Sequence, residues 1–453
     1  MTAVMMATTM LAVTNPAHVA CAAGPDSGAQ AAPDAALDST LGWRTLTRDD
    51  FRGYKKDAFP AKGWTFENGI LTSAKGGGGG DLVTKDQFSD FELELEFRTT
   101  PKGNSGLMYR VGETLGATWM TGPEYQVLDD AGHDLKPGNT HAAGGLYDIA
   151  GGPETKPLKG PGEWNSARIR LRDGVVEHWL NGTLVVSQRM FDDTGAPTPE
   201  WLAKIAGSKF KDYAGFGVLP KGHLAIQDHG DEIAFRSIRV RDLGAKGPGE
   251  VALFNGADLT GWTPVLPSGG KPEDVWSVRD GVLICTGSPV GYIRTSAMHT
   301  NYVLRLKWRF NPVTKKAGNS GVLLRVQGPD KVWPRSVEAQ LMSENAGDFW
   351  NIDEFRMKAD PARTKGRNTK KLAMAERPVG EWNEYEIIVN KGVVALYVNG
   401  QLLNRADDVE EISGWIALQS EGAEIHFKDV RLIPLDAPAP RTPAHTPKAG
   451  SGG

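Results

Sequence analysis

The chain has 453 residues, enough for two domains of ordinary size. Hydrophobic residues make up 40% and charged residues 23%, as in ordinary globular proteins, and a formal net charge of −4 argues against nucleic acid or an anionic membrane as a partner. The 55 glycines, 28 prolines and 13 tryptophans favour many short strands joined by tight turns.

The first segment, residues 1–23, is predicted to be an export signal. It runs through apolar positions to small residues at Ala20, Ala22 and Ala23. The alternative is a disordered alanine-rich tail. A lipid anchor is not expected, because His18 stands where a lipoprotein signal carries an aliphatic residue. No segment reaches the roughly 18 apolar residues of a membrane span, so we expect an exported protein, periplasmic or extracellular.

One ordered series of segments occurs twice along the chain. The matched segments are 64–71 with 276–283, 91–98 with 302–309, 103–110 with 318–325, 162–165 with 380–383, 179–182 with 397–400, and 224–227 with 416–419. Six matches in the same order indicate an internal repeat. The sequence therefore predicts a first domain at 41–243, a glycine-rich linker at 244–250 and a second domain at 251–435. The tail at 436–453 is predicted to be disordered.

Each copy is predicted to be all-β. Most repeated segments alternate apolar and polar residues with period two and end in Asn-Gly or Asp-Gly, which is typical of strands closed by tight hairpins. Helical periodicity is scarce, and only residues 199–205 predict a short helix. The pattern therefore favours two tandem β-sandwiches.

Two residues with reactive side chains are predicted to serve packing. Cys285 ends an apolar Val-Leu-Ile-Cys run, which is typical of a core position. His178 has Leu396 as its counterpart in the second copy, so we expect a buried environment for it.

Polar residues spaced two apart on a strand project from the same face. In the first copy Glu124 and Gln126 form such a pair, as do Gln227 and His229. The corresponding pairs in the second copy are Glu338 with Gln340 and Gln419 with Glu421. These pairs predict a wetted polar face on each sandwich.

A series of motifs in the first copy points to a known family. They are Gly-Asn-Ser-Gly at 103–106, Pro-Glu-Tyr-Gln at 123–126, Gly-Gly-Leu-Tyr-Asp at 144–148, Gly-Glu-Trp-Asn at 162–165, His-Trp-Leu-Asn-Gly at 178–182 and Gln-Asp-His-Gly at 227–230. The series resembles the 3-keto-disaccharide hydrolase domain, also called the 3-keto-glucoside 1,2-lyase/3-keto-2-hydroxy-glucal hydratase domain. The resemblance covers 42–242 and, with departures, 251–435.

The resemblance implies both a fold and an activity. The fold is the concanavalin A-like jelly roll of lectins and glucanases, present here as two tandem β-sandwiches. The activity is cleavage of a glycoside already oxidised at carbon 3: a proton leaves carbon 2, the substituent on carbon 1 is eliminated, and water adds. A separate sugar 3-dehydrogenase would have to supply the ketone.

This chemistry needs a general base near carbon 2 and a positive partner for the enolate oxygen. Glu124 is the expected base, with His229 as the alternative, and Arg110 is expected to stabilise the enolate. A structural ion pair between Arg110 and Glu124 stays open, as does an exposed loop position for His229. Further residues are expected to contact substrate: Gln126, Gln227, Tyr147, Trp119, Arg325, Glu338, Gln340, Gln419 and Glu421.

A divalent metal ion is considered on the strength of the resemblance. Asp129, Asp130 and His133, with His141 and Asp148, would be its ligands, although their spacing fits no strong metal motif. The alternative is that the acidic run is a turn.

Two other functions are weighed against the enzyme just described. One is a non-catalytic carbohydrate-binding protein with the same residues on its polar face. The other is an ordinary glycosidase using Glu92, Glu94 and Glu96, but the second copy does not keep these carboxylates, and a solvated strand face explains them better.

Overall fold

The computed structural model describes residues 35–136 and 138–435. The predicted export signal and the predicted tail lie outside the described residues. Helices are short and few: α1 (Ala35–Leu41), α2 (Pro199–Ala206) and α3 (Pro272–Val275), with 3-10 turns at Arg48–Asp50, Thr118–Met120, Ala131–His133 and Pro361–Arg363. No helix within the described ranges has the length and apolar character needed to cross a membrane.

The first half of the chain forms one β-sandwich. Its strands are β1 (Arg44–Thr45), β2 (Phe51–Gly53), β3 (Trp64–Glu67), β4 (Ile70–Ser73), β5 (Leu82–Phe88), β6 (Phe91–Thr99), β7 (Asn104–Val111), β8 (Glu124–Leu128), β9 (Asn165–Arg172), β10 (Val175–Leu180), β11 (Thr183–Arg189), β12 (Gly222–Ile226) and β13 (Ile233–Asp242). The front sheet has the order β2-β5-β12-β7-β8, and the back sheet has the order β11-β10-β9-β6-β13-β4-β3 with β1 on β13.

The second half forms another sandwich. Its strands are β14 (Val251–Ala252), β15 (Trp262–Val265), β16 (Trp276–Arg279), β17 (Val282–Cys285), β18 (Gly291–Thr295), β19 (Tyr302–Phe310), β20 (Gly321–Val326), β21 (Ser336–Gln340), β22 (Phe349–Ile352), β23 (Lys358–Ala359), β24 (Thr364–Lys365), β25 (Asn368–Thr369), β26 (Asn383–Asn390), β27 (Val393–Val398), β28 (Gln401–Asp407), β29 (Trp415–Ser420) and β30 (Ile425–Pro434). Its front sheet is β15-β18-β29-β20-β21-β22-β25-β24, and its back sheet is β16-β17-β30-β19-β26-β27-β28-β23 with β14 on β30. The all-β prediction is confirmed.

Period-two alternation builds the core of each sandwich. In β6 the side chains of Phe91, Leu93, Leu95 and Phe97 point into the first core, where each is at most 5% exposed. The equivalent strand β19 places its apolar residues in the second core in the same way. Because successive side chains of a strand alternate between its faces, the opposite face of each back sheet is left for polar residues.

Tight turns fix the register of the hairpins. Asn68 and Gly69 join β3 to β4 with φ of 52° and 77°, and Asp280 and Gly281 join β16 to β17 with φ of 51° and 74°. Two successive positive φ values define the hairpin turn whose twist matches the flanking strands, and Asn, Asp and Gly adopt them most readily. The Asn-Gly and Asp-Gly dipeptides therefore predict these hairpins correctly.

The predicted short helix is present as α2. Thr198 caps it by accepting a hydrogen bond from the Trp201 backbone N–H over 3.2 Å, and Pro199 occupies its first turn. The helix belongs to segment 190–221, which joins β11 to β12. The second copy joins the corresponding strands, β28 and β29, through residues 408–414 only.

The two back sheets pack against each other through charged side chains. Glu386 of β26 accepts from Arg241 of β13 over 2.6 Å and from Arg305 of β19 over 2.7 Å. Glu92 of β6 is 1% exposed, and the neighbouring Arg168 and Arg241 outweigh the effect of burial and lower its pKa to about 2. The expectation of a solvated face at Glu92 is therefore wrong, because the second sandwich covers it.

The packing predictions for two reactive residue types are confirmed. His178 is 0% exposed and lies between the rings of Tyr109 and Tyr125, and burial lowers its pKa to about 4. Cys285 is 0% exposed in the second core, and burial raises the pKa of its thiol to about 11. The histidine is thus neutral and the cysteine unreactive at neutral pH.

Candidate active site

The front face is the surface of the front sheet that is turned away from the core. In the first copy, Met108 of β7 lies opposite Glu124 of β8, and Gly106 lies opposite Gln126. The backbone N–H of Gln227 donates to the Gly106 carbonyl over 2.9 Å, so Gln227 continues this row from the end of β12. The structure therefore brings Glu124, Gln126 and Gln227 onto neighbouring strands of one face.

Glu124 is a buried carboxyl on this face. It is 6% exposed, and burial raises its pKa to about 8; the nearby charge of Lys209 acts in the opposite direction, and that of Asp81 adds to the rise. A β-carbon at Gly106 would collide with the Glu124 carboxylate. Glycine at this position therefore leaves the carboxyl room to lie flat on the sheet.

Polar residues beside Glu124 connect it to the loop that carries His229. With its amide nitrogen turned toward Glu124, Gln126 donates to Glu124 Oε1 over 3.0 Å and to the Ser105 carbonyl over 3.2 Å. Asn104 Nδ2 lies 3.2 Å from His229 Nε2. The His229 side chain is 51% exposed, with Asp231 Oδ2 3.9 Å from its Nδ1. His229 thus stands at the open end of the face.

A second carboxyl, Asp81, lies at the start of β5 and was not predicted from the sequence. It accepts hydrogen bonds from Thr118 Oγ1 and, over 2.9 Å, from the Asp228 backbone N–H. The Asp228 carboxylate in turn accepts from the backbone N–H groups of Gly79 and Gly80, each over 2.9 Å. Burial raises the pKa of Asp81. This network holds the loops around Thr118 and Asp228 at the edge of the front face.

Lys209 brings a positive charge to the front face. Its Nζ lies 4.1 Å from the centre of the Tyr147 ring and 6.0 Å from the centre of the Trp119 ring. The backbone N–H of Tyr147 donates to the Glu124 carbonyl over 3.0 Å, so Tyr147 extends the sheet directly beside Glu124. The Trp119 ring meets Tyr213 edge to face, with centres 5.1 Å apart. We name Trp119, Tyr147, Lys209 and Tyr213 the aromatic wall.

The aromatic wall depends on segment 190–221, which explains why Lys209 escaped prediction. This segment has no counterpart of similar length in the second copy, so the internal repeat did not mark it. The Ser208-Lys209-Phe210 run after α2 has neither strand nor helix periodicity. Only the fold shows that it returns to the front sheet.

His141 and Asp148 form a hydrogen-bonded pair behind Tyr147. Nε2 of His141 lies 3.0 Å from Asp148 Oδ1, and the His141 ring stacks on Tyr147 with centres 4.5 Å apart. The other carboxylate oxygen, Oδ2, accepts from the Lys209 backbone N–H over 2.7 Å. Burial alone would raise the pKa of Asp148, but these hydrogen bonds outweigh it and lower that pKa.

Arg110 does not take part in the front face. Its guanidinium donates to the Ser89 and Leu219 carbonyls and stacks 4.4 Å from the centre of the Phe191 ring, inside one end of the sandwich. Its ion-pair partner is Asp90, at 3.7 Å, rather than Glu124. The expectation that Arg110 stabilises an enolate is therefore wrong, and the ion pair proposed as the alternative forms with a different carboxylate.

Arg325, the counterpart in the second copy, is also enclosed. It is 0% exposed and donates to the carbonyls of Glu410, Thr300 and Lys391. A side chain bound to three backbone carbonyls inside the fold cannot contact a substrate, so this expectation is also wrong. Both arginines tie loops together at the end of a sandwich.

The residues considered as metal ligands do not converge. Asp129 Oδ2 accepts from the Lys102 backbone N–H over 2.9 Å, and Asp130 pairs with Lys156 over 2.6 Å. His133 Nε2 lies 3.0 Å from the Lys102 carbonyl. Within 35–136 and 138–435, no three His, Cys, Asp or Glu residues are grouped as a metal site would require. The acidic run serves as a turn, which was the alternative.

The front face of the second copy keeps a carboxyl that is buried about as deeply as Glu124. Glu338 is 5% exposed, and burial raises its pKa to about 8. Gln419 is 1% exposed, and a β-carbon at Gly321 would collide with both Gln419 and Glu338. The nearby Glu421 raises the pKa of Glu338 further. Glu338, Gln419 and Glu421 are thus brought together, with Gln419 enclosed in the fold.

Two features distinguish this second face from the first. Gln340 turns its Oε1 to the backbone N–H groups of Leu341 and Met342, at 2.9 Å and 3.0 Å. Tyr292, in the strand that corresponds to β5, is 0% exposed and packs with Leu323 and Ala417 in an apolar cluster on this face. The first copy has a matching apolar cluster of Val83, Met108, Val111 and Ala225, so the difference is the tyrosine itself, on the strand that in the first copy follows Asp81.

The chain is similar in sequence to known proteins. The family model for the 3-keto-alpha-glucoside-1,2-lyase-like domain matches residues 41–241 and 249–433. The chain belongs to this family. A curated relative from Bacteroides thetaiotaomicron, named 3-keto-disaccharide hydrolase, is 35% identical over 229 residues, which are 44% of this chain and 76% of the relative.

Solved structures of similar chains include two with sugar-related names. A provisionally assigned glycosyl hydrolase from Parabacteroides distasonis is 27% identical, with a TM-score of 0.41, over 46% of this chain and 96% of that chain. A Bacillus licheniformis β-glucanase is 15% identical, with a TM-score of 0.29, over 42% of this chain and 98% of that chain.

Proposed function

We propose that the first sandwich cleaves 3-keto-glycosides by elimination and hydration. Family membership supports a hydrolase acting on a 3-keto-disaccharide, because the curated relative carries that name. The observation that carries the proposal is the buried Glu124 carboxyl on the front face, with a pKa of about 8 and with the Lys209 charge close by. A general base is most effective when its pKa lies near the working pH.

In this proposal Glu124 is the base. Its carboxylate removes the proton on carbon 2, which the ketone at carbon 3 has made acidic. Lys209, whose charge lies close enough to lower the pKa of Glu124, stabilises the enolate oxygen, a role previously expected of Arg110. Trp119 supplies flat apolar surface for the sugar ring. The Tyr147 ring is already stacked with His141 and covered by Lys209, so it positions these two groups.

Gln126 and Gln227 hold the sugar hydroxyls in the proposed complex. Both lie in the row next to Glu124, on either side of Gly106. Gly106 lacks a side chain, so the Glu124 carboxyl lies over it between the two glutamines. His229, 51% exposed, borders the face from the loop after β12 and stays the alternative base.

The test uses a 3-keto-disaccharide and its unoxidised parent. Glu124→Gln is expected to lower kcat/KM for the 3-keto substrate by about 10²-fold or more, the usual worth of a general base. The matched control is Glu338→Gln in the second copy, which removes a buried carboxyl whose pKa is also raised to about 8. We expect the control to keep wild-type activity, because the short 408–414 connection of the second copy supplies no counterpart of Lys209 and its segment 190–221.

Each outcome of this experiment decides between functions. Release of sugar from the 3-keto substrate alone supports elimination, and release from both substrates shows an ordinary glycosidase. Binding without release shows a carbohydrate-binding protein. If Glu338→Gln abolishes turnover and Glu124→Gln does not, the second sandwich is the catalyst and our assignment is wrong.

Two wider expectations belong to the same proposal. The ketone has to be installed by another enzyme, so a sugar 3-dehydrogenase would act before this protein. Export to the periplasm or the extracellular space would place the protein where oligosaccharides are taken up.

A further inference from the structure

The proposed reaction needs a second proton-transfer group. After the proton on carbon 2 has gone, the oxygen on carbon 1 leaves as an alkoxide unless an acid protonates it. Glu124 cannot be that acid in the same step, because it has just taken up the proton from carbon 2. The structure places His141 and Asp148 beside Tyr147. The sequence suggested these two residues only as metal ligands.

The His141–Asp148 pair has the form of an oriented proton donor. The hydrogen bond of 3.0 Å between His141 Nε2 and Asp148 Oδ1 holds the ring in one orientation, as the carboxylate of a catalytic His–Asp pair does. The His141 side chain is 43% exposed, so a substrate can reach it. Asp148 is itself held by the Lys209 backbone N–H over 2.7 Å.

The aromatic wall sets the position of His141 relative to Glu124. The His141 ring is stacked on Tyr147 with centres 4.5 Å apart, and Lys209 Nζ lies 4.1 Å from the centre of the same ring. The Asp148 carboxylate joins the two groups, because it accepts from both the His141 ring and the Lys209 backbone N–H. His141 is therefore held against Tyr147, next to Lys209.

Tyr147 links His141 to Glu124. Tyr147 is the neighbour of Glu124 across one strand spacing of about 4.8 Å, and the His141 ring is stacked on it. In the proposed complex Glu124 and Lys209 act at carbons 2 and 3, so His141 is available to the group that leaves carbon 1. In glycosidases, groups that exchange protons across a scissile bond stand roughly 5–9.5 Å apart.

We propose that His141, oriented by Asp148, protonates the leaving oxygen and then activates the water that adds to carbon 1. This inference rests on the proposed function. In the elimination, Glu124 takes the proton from carbon 2, the bond from carbon 1 to oxygen breaks, and the imidazolium gives its proton to that oxygen. In the hydration, neutral His141 takes a proton from water as its oxygen bonds to carbon 1, and Glu124 returns a proton to carbon 2.

The test compares leaving groups of different acidity. The substrates are a 4-nitrophenyl 3-keto-glucoside, whose phenolate leaves without help, and the methyl 3-keto-glucoside of the same anomer, whose alkoxide needs an acid. His141→Gln is expected to lower kcat/KM for the methyl glycoside by about 10²-fold or more. For the nitrophenyl glycoside we expect a loss below about tenfold, since only hydration assistance is removed.

Two further variants separate an acid from a structural residue. Asp148→Asn should give the same dependence on the leaving group with a smaller loss, because the ring stays in place. His133→Gln is the matched control; His133 Nε2 lies 3.0 Å from the Lys102 carbonyl, and the substitution should leave both rates unchanged. Glu124→Gln should lower both rates alike, because proton removal precedes departure of either group.

Equal losses for the two substrates in His141→Gln would overturn the inference, because they would mean that His141 only supports Tyr147. Unchanged rates for both would overturn it as well. If the wild-type protein cleaves neither substrate, the proposed function itself fails and this inference fails with it. A selective loss on the methyl glycoside is the outcome that supports it.

Discussion

Burial of two carboxyl groups links the stability of this protein to pH. Glu124 and Glu338 both have pKa values raised from 4.5 to about 8 by burial. Between these values the folded protein keeps protons that the unfolded chain has released. Stability therefore falls as pH rises from about 5 to about 8, because the folded state binds more protons there.

Replacing either carboxyl by an amide should remove the part of this stability loss that comes from that carboxyl. Glu124→Gln and Glu338→Gln are each expected to raise the free energy of unfolding at pH 8 relative to pH 5, by on the order of a few kcal/mol compared with wild type. Urea unfolding at a series of pH values measures the effect. Glu67→Gln, at an exposed hairpin end, should leave the pH profile unchanged. Parallel profiles for wild type and variants would refute the raised pKa values.

Sequence patterns placed Glu124 on the correct face but placed Arg110 wrongly. Local backbone geometry explains both outcomes. Glu124 and Gln126 lie in regular strand, where residues two apart share a face. Arg110 has φ of 53°, and the pairing of β7 with β12 shifts register between His223 and Ala225. Such an irregularity breaks the alternation of side chains between the two faces of the strand. The Arg110 side chain therefore points toward the end of the sandwich. A sequence pattern does not show where a strand carries a bulge.

Segment 190–221 is the element that makes the first front face different from the second. It carries α2 and then Lys209, and Trp201 of α2 is 0% exposed, with its indole N–H donating to the Gly217 carbonyl over 2.8 Å. That bond closes the segment on itself, and the packing of Trp201 in the first core fixes the segment on the sandwich. The charge at the front face therefore depends on the packing of one short helix.

Loss of the α2 cap should weaken this element by a predictable amount. Thr198→Ala removes the side chain that accepts from the Trp201 backbone N–H, and should lower the free energy of unfolding by about 1 kcal/mol. Urea unfolding followed by tryptophan fluorescence measures it. The control Thr194→Ala changes an exposed threonine of the turn before the helix and should cost less than about 0.5 kcal/mol. Equal effects of the two substitutions would contradict the capping role.

Hairpins and α2 could be predicted because their signals are local. Asn-Gly and Asp-Gly turns, and a proline following a threonine cap, fix backbone conformation within a few residues. Where segment 190–221 packs is decided by contacts with residues distant in sequence, such as Lys209 with Tyr147 and Trp119. No local pattern encodes those contacts.

At the scale of the whole molecule, ion pairs between the back sheets join the two sandwiches. Glu386 serves both Arg241 and Arg305, and Arg377 of the second copy pairs with Glu177 of the first over 3.0 Å. Each charge is removed from water, so the pairs stabilise the contact only while they are complete.

Removing one member should therefore be costly. Glu386→Gln leaves Arg241 and Arg305 without their shared carboxylate, and the free energy of unfolding is expected to fall by about 3–5 kcal/mol. Calorimetry or urea unfolding measures the change. The control Asp353→Asn breaks an exposed pair with Lys331 at 2.8 Å and should cost less than about 1 kcal/mol. A loss at Glu386 no larger than the control's would show that the interface is not held by these charges.

The presence of two similar units could be predicted from the repeat, but their contact could not. Glu92, Glu94 and Glu96 alternate with core residues, as they would on a strand facing water. Only the opposing sheet, with Arg305 and Glu386, shows that such a charged row can meet a complementary one. The alternation of apolar and polar residues shows which face of a strand packs in the core, but it does not show what covers the opposite face.

Because the sandwiches meet back to back, their front faces look in opposite directions. A molecule bound at Gly106 could not also touch Gly321. Each copy can therefore differ on its front face without disturbing the other, and Tyr292, which is fully buried in the second copy, is a difference of this kind.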